Sequence, residues 1–396
     1  MSGQLHPKFP PLSSKELLMI LGLTIKKDEE NKLATFLCEL SAYTETSQFN
    51  ISFNAPSSTG KSYIPIEIAS LFPKEDIIDV AYCSPTAFFH DVGKYSKKTK
   101  GYIVDLSRKV LIFLDQPHSL LLEHLRPLLS HDKKEITLKI TDKSQKGGLR
   151  TKNIIIKGFP AVIFCTGNLK MDEQESTRFL LLSPETNQEK IREAISEKIR
   201  KETNLQTYIS DLETRPERRE IKERILAIKE AHIIDIKLVL SQKIEELFCK
   251  RDGLLKPRHM RDVGRFIALV KIFALLNLWY RNRVGSAITA NEQDINEALK
   301  IWDVISESQE YNLPPYVYCL YREIIIPAYR DSQGMGTTRR DIMRKHYLIY
   351  NRPLADWQLR QQILPMLETA GLIIQEPDSE DRRKILIFPA ELYTKI

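Results

Sequence analysis

Cysteine is scarce in this chain and never closely paired. Cys38, Cys83, Cys165, Cys249 and Cys319 are scattered over 396 residues, with no Cys-x-x-Cys. That spacing excludes a zinc module of the finger kind and a disulfide-stapled fold, and it fits a reducing, cytoplasmic compartment. His90, His118, His124 and His131 lack metal-ligand spacing across their several elements. The N-terminus has no basic-then-apolar signal pattern. Long hydrophobic runs are absent too: the most apolar helix-like stretch, Phe266 to Trp279, contains Lys271 and is too short for a bilayer. No membrane partner is expected. Neither sign of charge dominates strongly. A net charge of +7 and a pI near 8.9 permit nucleic-acid binding without demanding it, because location matters more than total. What remains is a chain long enough for two or three domains with cores of their own.

The most informative stretch present is Asn54-Ala55-Pro56-Ser57-Ser58-Thr59-Gly60-Lys61-Ser62. It follows a strand-like run, Phe49 to Phe53, and precedes a helix-like run, Tyr63 to Leu71. Strand, tight loop ending Gly-Lys-Ser, then helix predicts a phosphate cradle. Backbone N–H groups of residues 55–62 point at the phosphates, Lys61 reaches the β- and γ-phosphates, and Ser62 holds Mg²⁺. The expected ligands are therefore ATP and Mg²⁺. The first position of the Gly-x-x-x-x-Gly-Lys-Ser pattern is Ala55 rather than Gly, the mildest replacement.

Around this loop the chain alternates strands and helices from 49 to about 182. Strands fit 49–54, 77–82, 110–115 and 161–166; helices fit 61–71, 86–93 and 119–129. Alternation of this kind predicts a mostly parallel sheet with ligands at the carboxyl ends of its strands. Residues 134–157 break the pattern with two alternating runs around Gly147-Gly148, which predicts a β-hairpin. Its end is basic, with Lys143, Lys146, Arg150 and Lys152 against Asp142. Two short helices are expected within 14–45. Residues 186–250 are helical, charged and nearly free of Gly and Pro, and further helices are expected at 258–280 and 291–306. A linker with Gly334 and Gly336 leads to a last segment read as helix, helix (Trp357 to Ala370) and hairpin, the winged helix-turn-helix order.

Several residues in this frame carry chemistry. Asp115 ends the all-apolar run Val110 to Leu114 and supplies the second Mg²⁺ group opposite Ser62. Gln116 follows, where a glutamate would activate water; an amide cannot take the proton. Three explanations stay open: Gln116 orients water, another carboxylate such as Glu123 replaces it, or hydrolysis is slow or disabled. Asn168, after the strand 161–166, is placed to touch the γ-phosphate or the attacking water. In Ser176-Thr177-Arg178-Phe179, Arg178 suits an arginine finger acting on a neighbouring subunit's nucleotide.

These motifs resemble the AAA+ class of ring-forming ATPases, and within it the minichromosome-maintenance (MCM) helicase branch, in the shorter form of mobile elements. Ser-Thr-Arg-Phe resembles that family's finger motif. The hairpin before the Asn168 strand resembles its pre-sensor hairpin. Arg258-His259-Met260-Arg261-Asp262-Val263-Gly264-Arg265 resembles its lid motif, so Arg258 matches the sensor-2 position. The resemblance covers roughly 30–396. It implies an α/β P-loop core with parallel sheet, pre-sensor hairpin and helical lid, plus a C-terminal winged helix. The implied divisions are an N-terminal helical segment 1–48, an ATPase core 49–185, a lid 186–310, a connection 311–337 and a winged helix 338–396. It further implies a hexameric homo-oligomer working on DNA as an ATP-driven replication helicase, with Lys61, Asp115, Gln116, Asn168, Arg178 and Arg258 catalytic. Lys146 and Arg150 on the hairpin, Gln358 and Arg360 on the second helix of the last segment, and Arg382 and Arg383 on its wing would meet DNA. An ordinary solvated hairpin and a protein-docking winged helix are the competing readings. A replication initiator or helicase loader, and a nucleotide-gated DNA-binding protein that turns over little, are the functional alternatives. About 48 residues precede the first strand, so the large N-terminal DNA-binding domain of cellular members is not expected, nor independent origin melting. The charged stretch 186–250 has no counterpart role.

Overall fold

The computed structural model describes residues 8–81, 83–84, 93–97, 99, 101–142, 150–169, 177–249 and 255–392, with the backbone alone at 140–142, 150 and 152. The helix expected at 86–93, apart from its last residue, and the hairpin tip with Lys143, Lys146, Gly147 and Gly148 lie outside those residues.

Five parallel strands form the central sheet: β1 (Asn50–Asn54), β2 (Ile77–Val80), β5 (Val110–Phe113), β8 (Ala161–Thr166) and β9 (Phe179–Leu182). Their order is β2-β5-β8-β1-β9. Strands β5, β8 and β9 are nearly continuous apolar runs because both sheet faces are covered, and along the sheet successive side chains divide between two cores. Ile51, Phe53, Val110, Ile112, Ile163 and Leu180 face one; Leu111, Phe113, Val162, Phe164 and Leu181 face the other. The first core is closed by α1 (Ser14–Leu21), α2 (Glu29–Ser41) and the later helices. The second is closed by α4 (Ser119–Leu129), which follows α3 (Tyr63–Ala69) in the chain.

The hairpin strands β6 (Glu135–Asp142) and β7 (Arg150–Lys157) pair antiparallel as expected. They belong to a second sheet, in the order β3-β4-β7-β6, with β3 (Lys94–Ser96) and β4 (Gly101–Asp105). Neither β3 nor β4 was anticipated. The region after 185 is mostly helical: α5 (Gln188–Thr203), α6 (Leu205–Thr214), α7 (Pro216–Ala231), α8 (Ser241–Cys249), α9 (His259–Leu276) and α10 (Glu292–Gln309). A small sheet, β10 (Asp235–Leu238), β12 (Ala287–Ala290) and β11 (Asn282–Val284), crosses it and was also not anticipated. Its strands are three or four residues long, too short to show a period of two against helical surroundings.

The C-terminal unit begins with α11 (Pro315–Leu320), which runs through a π turn at Tyr321–Ile325 into α12 (Ile326–Asp331). Next come α13 (Arg339–Tyr350), α14 (Asp356–Gln358) running through a π turn at Leu359–Ile363 into α15 (Leu364–Thr369), and the antiparallel β13 (Ile373–Pro377) and β14 (Ile385–Pro389). Thr338 and Asp341 cap α13 reciprocally. The second helix was expected to be uninterrupted. Pro365 removes an N–H and crowds the carbonyl four residues earlier, and the wider π turn just before it absorbs both effects.

β9 is an edge strand, and a side chain closes its outer edge. The Leu181 N–H donates to Gln309 Oε1 (3.2 Å), and Gln309 Nε2 donates to the Leu181 carbonyl (2.8 Å), as a neighbouring strand would. We predict that Gln309→Ala lowers stability by about 2 kcal/mol, because two buried backbone groups lose their partners. An unchanged denaturant midpoint would contradict this.

Candidate functional site

The chain leaves β1 at Asn54 and turns through residues 55–62 before α3. Ala55 and Pro56 are buried and Ser57 and Ser58 exposed. Ala55 lies outside the positive-φ residues, so its position does not require glycine. Its N–H donates to the Thr166 carbonyl at 3.4 Å. Gly60 does need its freedom: φ is +94°, and a Cβ there would meet nothing within 4 Å. The loop backbone is thus open on that side to a close-approaching ligand. Ser58 also takes a left-handed conformation, at φ 63°. Thr59 Oγ1 (3.0 Å) and Lys61 Nζ (2.9 Å) both donate to the Pro56 carbonyl. Behind the loop, Cys165 Sγ donates to the Lys61 carbonyl (3.3 Å), and the Ser62 hydroxyl is within bonding reach of the same sulfur. Burial pushes the Cys165 thiol up to about 12, so it stays protonated. Lys190 of α5 ties the loop to the helical region, donating to the Thr59 carbonyl (3.2 Å) while ion-paired with Asp28.

Asp115 and Gln116 follow β5, two and three residues past Phe113, and both are exposed. The Gln116 N–H donates to Asp115 Oδ1 at 2.8 Å. Thr166 Oγ1 accepts the Asn168 N–H (3.0 Å) and donates to Gln116 Oε1 (3.2 Å). With its carbonyl oxygen engaged, Gln116 offers a ligand its NH2 group, a donor. The Asn168 carbonyl accepts from Asn54 Nδ2 (3.4 Å), and its Oδ1 accepts from Gln362 Nε2 (3.2 Å). Lys61, Ser62, Asp115, Gln116 and Asn168 therefore gather at the carboxyl ends of the adjacent strands β1, β5 and β8. Glu123 is exposed on α4, and no described hydrogen bond links it to this group.

Burial holds the Lys61 ammonium below its ordinary value. The nearby Arg352 charge pushes the same way, against the raising influence of Asp115.

The arginines sit elsewhere. Arg178 immediately precedes β9, so it lies at the amino end of the parallel sheet, where its Nε donates to Ser130 Oγ (2.8 Å) just past α4. The four residues of β9 alone span roughly 13 Å, so Arg178 stands at least that far from the carboxyl-end group. The start of α9 joins Arg178 there. Arg265 Nη2 donates to the Thr177 carbonyl (2.6 Å), and Arg261 donates to the Thr177 hydroxyl. Arg258 is paired with Asp262 (2.8 Å) and its side chain is 10% exposed. Asp262 also serves Arg265 (2.8 Å). Asp262 thus holds Arg258 and Arg265, while Arg261 and Arg265 both meet Thr177, the neighbour of Arg178. Arg261, which is exposed, is the member not singled out from sequence; its place three residues after Arg258 on one helix was the available signal.

Of the residues assigned to DNA, Arg150 begins β7, where the backbone is described, and Lys146 lies outside the described residues. Gln358 is half-buried and Arg360 exposed on the second helix of the C-terminal unit. Arg382 and Arg383 are exposed on the β13–β14 turn, Arg383 paired with Asp381 at 3.0 Å. Among the described residues no helix is long and apolar enough to cross a membrane.

No protein-family model matches the chain, and no curated protein matches it either. Among solved structures, the chain is similar to a full-length MCM homolog from Methanopyrus kandleri, at 13% identity and a TM-score of 0.42, over 75% of this chain and 62% of that one.

Proposed function

We propose that this protein is an ATPase that works on DNA as a ring of its own copies, moving along or unwinding it during replication. The observation that carries the reading is the division of the site. Lys61, Ser62, Asp115 and Asn168 stand at one end of the parallel sheet and Arg178 at the other, with Arg258 linked to the residue before Arg178 through Asp262 and Arg265. A head-to-tail arrangement of copies brings the two ends together, as rings of heterologous contacts do.

In this reading Lys61 leaves the Pro56 carbonyl for the β- and γ-phosphates, and the open backbone at Gly60 lets the loop approach them. Ser62 and Asp115 fit Mg²⁺, since a hydroxyl and an exposed carboxylate are hard oxygen donors and leave places for water and phosphate. The ion, when bound, neutralises phosphate charge. Asn168 holds the γ-phosphate end, Gln116 orients water through its NH2, and Arg178 and Arg258 of the neighbouring copy meet the charge that develops on the transferred group. Lys146 and Arg150 on the hairpin, and Gln358, Arg360, Arg382 and Arg383 in the C-terminal unit read as a winged helix, contact DNA. Residues 186–310 act as the lid.

The test is ATP hydrolysis with and without forked DNA, with strand separation on the same fork. DNA-stimulated hydrolysis and unwinding are expected. Lys61→Ala is expected to reduce hydrolysis by about 10²–10³-fold, the scale of losing one aimed donor. The reading fails if Lys61→Ala leaves ATP binding and hydrolysis unchanged. The engaged carbonyl of Gln116 favours one second reading, a nucleotide-gated DNA-binding protein that turns over little. Tight ATP binding without phosphate release would select it.

A further inference from the structure

The C-terminal unit is built onto the nucleotide end of its own chain's sheet. Leu169, one residue past Asn168, is fully buried in the core of that unit, among Leu359, Ile363 and Ile324. Gln362 Nε2 grips Asn168 Oδ1. A line of hydrogen bonds runs from the foot of the phosphate loop into the same unit. Ser183 Oγ donates to the Asn54 carbonyl (2.6 Å) and accepts the Tyr316 N–H (3.0 Å). The Tyr316 hydroxyl meets His346 Nε2 (3.2 Å), and His346 Nδ1 meets the Arg352 carbonyl (2.8 Å). A carbonyl only accepts, so Nδ1 carries the proton and Nε2 accepts from the tyrosine. Burial lowers the His346 pKa, which keeps this arrangement neutral.

The line fixes the backbone of Arg352, in the turn between α13 and α14. Arg352 is half-buried there. Among the described residues the Arg352 guanidinium has no carboxylate partner, and the Lys61 ammonium donates to the Pro56 carbonyl. A half-buried guanidinium without a carboxylate partner, held on this unit at the same end of the sheet as the loop, suits a polyanion.

We propose that Arg352 is a phosphate-binding residue of the nucleotide site, delivered in cis by the C-terminal unit, and that it meets the terminal phosphate of a nucleoside triphosphate. Gln362 is the positioning residue that latches the unit to Asn168. The inference rests on the reading of the Lys61 loop as a nucleotide site. A triphosphate then tightens the unit's hold on the core, and by linkage the docked unit tightens triphosphate binding by the same factor. Loss of the terminal phosphate releases that hold, so the position of the C-terminal unit follows the nucleotide.

Titration calorimetry of the full-length protein tests this with two probes, ADP and the non-hydrolysable triphosphate adenylyl imidodiphosphate. Arg352→Ala is expected to weaken the triphosphate analogue by about 10-fold and ADP by less than about 2-fold, since an arginine–phosphate pair is lost in one case only. Gln362→Ala should move in the same direction by a smaller factor. Arg352→Lys, which keeps the charge and disturbs packing least, should retain part of the triphosphate preference. Wild-type affinity for both probes in Arg352→Ala, with binding lost in Lys61→Ala, would overturn the inference and leave the nucleotide site standing. Equal weakening of both probes by Arg352→Lys and Gln362→Ala would also overturn it. Wild type that binds neither probe would sink the nucleotide reading and this inference with it.

Discussion

Arg178→Ala is expected to slow ATP hydrolysis by about 10³-fold or more, the range for removing an arginine finger, while ATP binding changes little. The reasoning is geometric. Arg178 stands at the amino end of β9 and Lys61 beyond the carboxyl end of β1, the adjacent parallel strand, so the arginine does not serve its own chain's loop. Its Nε donates to Ser130 Oγ, and the denaturant midpoint of the variant checks that the fold is kept. Mixing supplies the sharper measurement. Arg178→Ala and Lys61→Ala proteins, each inactive alone, should regain hydrolysis together. In a random equal mixture roughly a quarter of the interfaces join an intact Lys61 to an intact Arg178. Full hydrolysis in Arg178→Ala would remove the residue from the reaction. A dead variant that no mixing rescues would make its role structural.

Gln116→Glu carries the second large effect, and in the opposite direction. The variant is expected to raise turnover by about 10²-fold, the lower end of what a positioned general base contributes. Thr166 already donates to the residue's side-chain oxygen at 3.2 Å. A glutamate accepts the same bond, keeps the orientation, and has a second oxygen with which to take a proton from water. Among the described residues no hydrogen bond ties Glu123 to the group around Lys61. Single-turnover phosphate release for wild type, Gln116→Glu and Gln116→Ala separates the possibilities. A glutamate variant no faster than wild type would mean that position 116 does not face the water. A sharp loss in Gln116→Ala from an already substantial rate would mean that the amide orients water by itself.

The sequence alone determined the features that are local. Continuous apolar runs announced the sheet strands at 110–113 and 161–166, because strands covered on both faces need no polar alternation. The Gly-Lys-Ser loop, the hairpin strands around a Gly-Gly turn, and helix starts at Thr338 and Asn291 were equally legible. Turn chemistry and capping act within a few residues. The parallel sheet itself followed from the alternation of elements.

Tertiary structure decided whatever depends on partners distant in sequence. The strands β3, β4, β10, β11 and β12 are short and exist through pairing with remote segments, so their own residues carry little signal. The edge of β9 is closed by Gln309, 128 positions from Leu181. The meeting of Arg261 and Arg265 with Thr177, beside Arg178, depends on how α9 packs against the segment before β9. In the stretch Trp357 to Ala370, packing left Arg360 exposed and turned Gln362 onto Asn168. Side-chain type states what a residue can bind, but only the packing of remote segments sets which neighbour it meets, because no local preference spans a separation of 194 residues.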